Sequence, residues 1–280
     1  MSLKRNQHDV GSPDDSPNDV GERVREAAGG VSEGVSEGVE QVVRRVARER
    51  TPRHRMLSRG RALLLIYALG VVALIALTLV VRASAVLSVD LPFTRELQEN
   101  HNPLLAGFMF FISELGFPPY ADAIFIIAVL LLVLFRLRLE ALFLIFALVG
   151  DGIGALLKVI VARHRPTPNL VHVVQVLNSP SFPSGHTTHY TIFYGFLAFV
   201  LISSFKSSWL RNSLIVVCLA LIALIGISRV YLGEHWLTDV LGGYLLGGLV
   251  LVLLVAAFLW AKARFNSETL RRLPHTEQPA

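Results

Sequence analysis

The sequence predicts an all-α, polytopic membrane protein: a bundle of six transmembrane helices with one interfacial helix and a disordered N-terminal tail. Three observations carry that reading. Hydrophobic residues make up 53% of the 280 and charged residues only 17%, with a mean hydropathy of +0.55. Ordinary soluble domains are about 25% charged. The apolar residues gather into runs close to the ~20 residues that cross a hydrocarbon core, and most of the charge lies between those runs. This composition excludes a disordered chain and argues against a water-soluble enzyme. The net charge of +5 and the pI of 9.7 fit cytoplasmic loops of a membrane protein better than nucleic-acid binding. The single Cys218 excludes an internal disulfide and a Cys-based zinc site. It sits in an apolar run as a small hydrophobe.

Residues 1–58 are read as a polar, largely disordered cytoplasmic tail. The first 55 residues contain no aromatic side chain. No charged segment leads into an early apolar stretch, so a cleavable signal peptide is not expected. Val31-Ser32-Glu33-Gly34 repeats as Val35-Ser36-Glu37-Gly38. Val24, Val31, Val35, Val39, Val42 and Val46 recur at helical spacing, but Gly29, Gly30, Gly34 and Gly38 weaken a helix there. Arginines then crowd toward the first apolar run. A basic amphipathic segment lying on anionic lipid is one reading. A solvated tail whose arginines only fix topology is the expected one.

Residues 59–265 are read as the membrane domain. Its first run, Ala62 to Val81, has 20 residues without a charge. A polar stretch, Ser84 to Asn102, follows. Pro103 to Phe117 is apolar but short and contains Glu114, so it is expected to lie in the interface. Pro118 and Pro119 open the second run, which ends at Phe135. Leu139 to Val161 is the third, His186 to Phe205 the fourth, Ser213 to Leu232 the fifth and Val240 to Ala261 the sixth. Gly243 and Gly247 form a small-xxx-small pair, expected to pack helices within the bundle rather than to form a dimer face. Residues 266–280 are a short polar C-terminal tail.

Charge asymmetry sets the orientation. With six crossings, both termini and the loops near Arg136 and Lys206 share one side, which from Arg53 onward holds twelve Lys and Arg. The other side holds four: Arg82, Arg95, Arg163 and Arg165. The positive-inside rule then puts both termini in the cytoplasm of a cell-membrane protein. A seventh crossing at 103–117 would scramble this asymmetry.

Polar groups are costly inside a membrane domain, so their positions are informative. They cluster at three places on the non-cytoplasmic face: Lys158 to Pro166, Pro183 to His186, and Ser228 to Asp239. Lys158, Arg165 and Arg229 are cations with no evident acidic partner, which would repel one another unless an anion sat between them. Arg offers a planar donor fork for phosphate oxygens and Lys a compact charge. Ser184 adds a hydroxyl, and Gly185 opens a helix whose free N–H groups face the same place. His235 and Asp239 are four apart and share a face if helical. A carboxylate on one ring nitrogen leaves the other free to attack phosphorus, so His235 is the candidate nucleophile. His186 is the candidate acid and base. A metal held by two histidines and a carboxylate is the alternative, and the neighbouring cations argue against it. Membrane-interface anchoring is the bland reading of any one of these residues, though not of all of them together.

The pattern resembles the three-part signature of the type 2 phosphatidic acid phosphatase superfamily. Lys158 is separated by six residues from Arg165-Pro166, then come Pro183-Ser184-Gly185-His186, then Ser228-Arg229, His235 and Asp239. The resemblance covers about Arg61 to Arg264. It implies a membrane lipid phosphatase with six transmembrane helices and catalysis without a metal or other cofactor. It implies that Lys158, Arg165, Ser184, Gly185 and Arg229 bind phosphate, that His235 is the nucleophile oriented by Asp239, and that His186 is the general acid and base. His164 departs from the proline that family members often carry there.

Four further residues draw weaker expectations. His189 lies one turn past His186, as a supporting residue or a core histidine. Asp151 lies within the third run, seven before Lys158 and on its face, as a functional carboxylate or a bundle hydrogen bond. Glu234 is expected to project into solvent. His172 sits in a long loop, Thr167 to Phe182, which either gates the head group or is a mobile surface loop.

The expected activity is hydrolysis of a lipid phosphate or diphosphate at the outer, or periplasmic, leaflet through a phosphohistidine. Candidate substrates are undecaprenyl diphosphate, phosphatidate and phosphatidylglycerophosphate. A lipid phosphotransferase on the same site and a non-catalytic lipid-phosphate binder or transporter are the alternatives. The intact His186, His235 and Asp239 argue against a pure binder.

Overall fold

The computed structural model describes residues 53–84 and 86–271, with side chains from 60 to 265. The valine stripe and the first part of the basic segment lie outside the described residues, as do most of the 1–58 tail and the end of the 266–280 tail. Two compact units are present, Met1–Leu64 and Leu65–Ala280. The site and its supporting helices belong to the second.

Among the described residues there are nine helices and no strand. They are α1 (Arg53–Ala83), α2 (Asp90–Gln98), α3 (Pro103–Glu114), α4 (Tyr120–Leu134), α5 (Arg138–Phe146), α6 (Leu148–Val161), α7 (Gly185–Ser204), α8 (Trp209–Tyr231) and α9 (Leu237–Arg271). The protein is a multi-pass, all-helical membrane protein. Four stretches are long and apolar enough to span: Gly60–Ala83, Arg138–Val161, Trp209–Tyr231 and Leu237–Phe265. The second of these is α5 and α6, separated only by Ala147. Two of the six expected crossings do not meet that criterion of length and composition. α4 has 15 residues, about 22 Å of rise. α7 has 20 residues, but its first two turns are His186-Thr187-Thr188-His189-Tyr190-Thr191, which dilutes its apolar character.

α7 is the centre of the bundle and packs against α6, α8 and α9. Ile192, Phe193, Phe196 and Val200 are buried on it, within a core completed by Leu144, Ile225, Leu254 and Phe258. On α4 and α6, by contrast, Ile126, Leu130, Leu156 and Val159 are exposed. Such apolar outer faces suit a hydrocarbon solvent, where only the backbone must be satisfied internally. The small-xxx-small expectation holds within the bundle. A Cβ at Gly243 would stand 2.8 Å from the Ser184 carbonyl, and one at Gly247 2.7 Å from Thr191 Cβ. These two glycines let α9 lie directly on the start of α7.

Two segments differ from expectation. The polar stretch before α3 is not featureless: α2 forms there and buries Asp90 and Thr94. The loop after α6 is tied to α2 and to the end of α8 by hydrogen bonds. Arg95 Nε and Nη2 donate to the Leu170 carbonyl at 3.2 and 3.1 Å. Gln98 brackets His172, donating to its carbonyl at 2.8 Å and accepting from its N–H at 3.0 Å. Val174 N donates to Leu232 O at 3.0 Å. Gly233 makes this docking possible. Its φ is +66°, and a Cβ there would stand 2.1 Å from the His172 carbonyl oxygen. Gly233→Ala is therefore expected to destabilise the protein by at least about 1–2 kcal/mol, because the loop must also move. The melting temperature in detergent should fall by several degrees, and an unchanged melting curve would contradict this account.

Candidate active site

The three polar segments converge because of how each helix ends. α6 stops at Ala162, whose left-handed backbone (φ +51°) lets its N–H bond Lys158 O at 2.9 Å. Such a cap redirects the chain and carries Arg163 and Arg165 away from the helix axis. Ser184 is the extended N-cap of α7. Its N–H donates to Asp239 O at 3.0 Å, tying the start of α7 to the first turn of α9.

His235 does not lie on a helix. It sits in the turn before α9, between Gly233 and Leu237. The pairing with Asp239 holds even so, with Nδ1 3.5 Å from Oδ2. Asp239 stands in the first turn of α9 and accepts the Trp236 N–H at 2.9 Å. That is half of a capping box. The same oxygen accepts from Ser181 Oγ, and Ser181 Oγ is 3.4 Å from His235 Nδ1. On the far side of the ring, Arg165 Nη1 stands 3.1 Å from His235 Nε2. A guanidinium only donates, so Nε2 accepts and the proton belongs on Nδ1, toward Asp239. This assignment rests on the hydrogen-bond pattern. His235 is 1% exposed. Burial holds its pKa well below 6.5, and the charges of Arg165, Lys158 and Arg229 push it the same way.

The cations are held at the same place. Lys158 Nζ donates to Pro180 O at 2.8 Å. Arg165 donates to Ser179 O at 2.7 Å and Glu234 O at 2.6 Å. Burial lowers its pKa to about 10, with Asp239 opposing that shift, so it stays charged at neutral pH. Neither Lys158 nor Arg165 forms an ion pair among the described residues. Arg229 is different. It is fully buried, bonds Ser113 Oγ, lies 5.2 Å from the Phe117 ring centroid and forms an ion pair with Glu234. The expectation of three cations without acidic partners therefore fails for Arg229. The expectation of a solvated Glu234 fails with it, since Glu234 is 3% exposed. Helical projection does not apply to Glu234, because Gly233 reverses the chain immediately before it.

The remaining expected residues fall as follows. Ser184 is buried, and its Oγ accepts from Thr187 Oγ1 at 2.9 Å. Gly185 and His186 line a cavity together with Lys158, and the His186 ring packs edge-on against Phe117 at 4.3 Å. His189 and Asp151 are brought together, Nδ1 to Oδ2 at 2.8 Å. Among the described residues, no group of three or more His, Cys, Asp or Glu is placed to hold a metal ion.

Sequence reasoning missed the support beneath Asp239. Arg163, read only as a loop charge, is buried. Its Nη1 lies 2.6 Å from Asp239 Oδ1 and its Nη2 2.6 Å from Asp90 Oδ2. Thr238 Oγ1 accepts from Arg163 at 2.7 Å. Asp90 in turn accepts from the Thr238 N–H at 3.0 Å. A charged residue two positions before Arg165 was the available signal. Nothing local announced its partner 73 residues away.

Known proteins resemble this chain in sequence and in fold. The PAP2 superfamily pattern matches residues 139–263, which include every signature position. Phosphatidylglycerophosphatase B of Bacillus subtilis is 31% identical over 191 residues, covering 67% of this chain and 92% of that protein. Lipid A 4'-phosphatase of Porphyromonas gingivalis is 28% identical, covering 59% of this chain and 70% of that protein. The crystal structure of a transmembrane PAP2-type phosphatidylglycerolphosphate phosphatase from Bacillus subtilis superposes with a TM-score of 0.61 at 26% identity, covering 68% of this chain and 94% of that one. With its helices, its signature and its relatives in agreement, this chain belongs to the PAP2 superfamily and is a phosphatase of that family.

Proposed function

We propose that the protein hydrolyses a lipid phosphate or diphosphate through a phosphohistidine on His235, without a metal ion. The supporting observation is the orientation of His235. Its protonated Nδ1 faces Asp239, and its Nε2 faces Arg165 with Lys158 and Arg229 close by. A substrate phosphate takes the Arg165 donor, which releases the Nε2 lone pair to attack phosphorus. The bond from phosphorus to the leaving oxygen, the lipid oxygen of a monoester or the bridging oxygen of a diphosphate, breaks as the N–P bond forms, and His186 gives its proton to that departing oxygen. His186 then removes a proton from water, and the hydroxide displaces His235 to yield inorganic phosphate. Lys158, Arg165 and Arg229, with the N-terminal end of α7 at Ser184 and Gly185, hold the phosphoryl oxygens as charge builds on them.

The substrate enters sideways from the bilayer. Phosphatidylglycerophosphate, phosphatidate and undecaprenyl diphosphate are the candidates. In this reading both termini lie in the cytoplasm and the site faces the outer leaflet, which the charge asymmetry supports.

The test is phosphate release by purified protein in detergent with excess EDTA, using those three lipids and a soluble phosphate ester. Release that survives EDTA and is blocked by vanadate, a mimic of five-coordinate phosphorus, is the expected result. Release that EDTA abolishes, or that vanadate leaves untouched, would overturn the mechanism.

A further inference from the structure

Beside His186 lies a cavity of about 230 Å³, lined by Asp151, Gly154, Lys158, Gly185, His186 and His189 among others. The mechanism above does not use Asp151 or His189. They are paired at 2.8 Å through Oδ2 and Nδ1, and the His189 ring lies flat on Phe193, 5.5 Å away with 9° between planes. The ring plane is thereby fixed. The pair is nevertheless not sealed, since the side chains are 23% (His189) and 33% (Asp151) exposed. Asp151 Oδ1 and His189 Nε2 have no hydrogen-bond partner among the described residues. His186 Nε2, on the same cavity, is buried and also lacks one. A purely structural pair within the bilayer would close its open valences, because unsatisfied polar groups there are costly.

We infer that Asp151 and His189 form a recognition site for a free hydroxyl on the leaving alcohol of the substrate. The inference rests on the phosphatase reading, in which His186 protonates the leaving oxygen. Whatever fills the cavity beyond His186 is then the alcohol side of the broken bond. With its Nδ1 proton given to Asp151, His189 has Nε2 left to offer, and Asp151 presents Oδ1 as an acceptor. A hydroxyl donates to that carboxylate oxygen and pairs with Nε2 in either of its roles, so the group they suit is an O–H. A second phosphate would meet the Asp151 carboxylate as a like charge, and a bare isoprenoid chain would leave both groups unpaired. The favoured substrate class is thus a phosphomonoester with a free hydroxyl close to the scissile oxygen, as on a glycerol phosphate carrying an unesterified 2-position.

The test uses a pair of substrates that differ by one oxygen: 1-acyl-glycerol 3-phosphate and the same lipid without its 2-hydroxyl. Phosphate release gives kcat/KM for each with wild type, Asp151→Asn and His189→Leu. Wild type should prefer the hydroxylated lipid by about tenfold or more, the size of one hydrogen bond to a buried polar or charged acceptor. Either variant should bring that ratio to within about twofold. In Asp151→Asn the side chain keeps its shape, but one carboxylate oxygen becomes an NH2 donor, so either the acceptor offered to the substrate hydroxyl or the acceptor facing His189 Nδ1 is lost. A wild-type ratio near one overturns the inference. So does a ratio that persists in both variants, including an equal fall on both lipids, which is what a structural role predicts. If folded wild type releases phosphate from neither these lipids nor the wider panel, the phosphatase reading itself fails and takes this inference with it.

Discussion

Replacing His235 by alanine is expected to reduce phosphate release by on the order of 10⁴-fold or more, the scale at which loss of a covalent nucleophile is felt. The structure leaves no neighbouring group to take over. Asp239 is bonded to Arg163, Ser181 and the Trp236 N–H, so its oxygens are spent. His186 is the one other imidazole among the signature residues, and the proposed mechanism engages it on the leaving oxygen. Asp239→Asn should cost less than His235→Ala, because the ring survives and loses only the partner that fixes its tautomer. A pH profile gives an independent reading. His235 keeps its lone pair only while neutral, and its pKa is held well below 6.5 by burial and by the Arg165, Lys158 and Arg229 charges. As pH falls, kcat/KM should therefore stay level through 6.5 and decline only at more acidic values, since kcat/KM reports the free enzyme. Rapid acid or alkali quenching of wild type with phosphorus-labelled lipid should trap label on protein under alkaline conditions, where phosphohistidine survives. Residual activity in His235→Ala within about tenfold of wild type would remove His235 from the nucleophile role.

What the sequence made legible divides along the range of the interactions. The convergence of the polar cluster was readable because each part is local: Lys158 and Arg165 flank one helix end, Ser184 and Gly185 form one cap, and His235 and Asp239 enclose one turn. The bundle was readable because runs such as Ala62 to Val81 are set by bilayer thickness. α2 was not readable, since a nine-residue helix in a polar stretch has too little apolar periodicity to stand out. Glu234 was misjudged because a helical projection was applied across a glycine with positive φ. The Asp90–Arg163 pair was invisible for a different reason. It is a tertiary choice between elements far apart in sequence, and either residue alone reads as a surface charge. The same holds for Asp151 and His189: each was noticed, and only the packing of α6 on α7 shows that they are one unit.

Arg163 is where that tertiary choice carries the largest structural consequence. Its guanidinium forks between Asp90 and Asp239, and all three side chains have no solvent exposure. Arg163→Met removes the cation and leaves two carboxylates facing each other in a buried site. Removing one partner from a buried ionic network typically costs about 3–5 kcal/mol, on the order of 10 °C in melting temperature for a domain of this size. Activity should fall as well, because Asp239 Oδ1 loses its anchor and the carboxylate that orients His235 is free to turn. Arg163→Lys separates the two effects. A single ammonium keeps the charge but cannot reach both acids as a fork does, so stability should be partly restored while the activity defect persists. Asp90→Asn supplies the control from the other end. It removes one of the two negative charges but keeps an oxygen to accept from the Thr238 N–H at its present 3.0 Å, so it should be milder than Arg163→Met. Combined with Arg163→Met, it should recover stability relative to that variant alone, because one of the two stranded charges is gone. If Arg163→Met melts within about 2 °C of wild type, the buried fork is not what holds Asp239 in place. The support for the nucleophile would then have to come from Ser181 and the first turn of α9 alone.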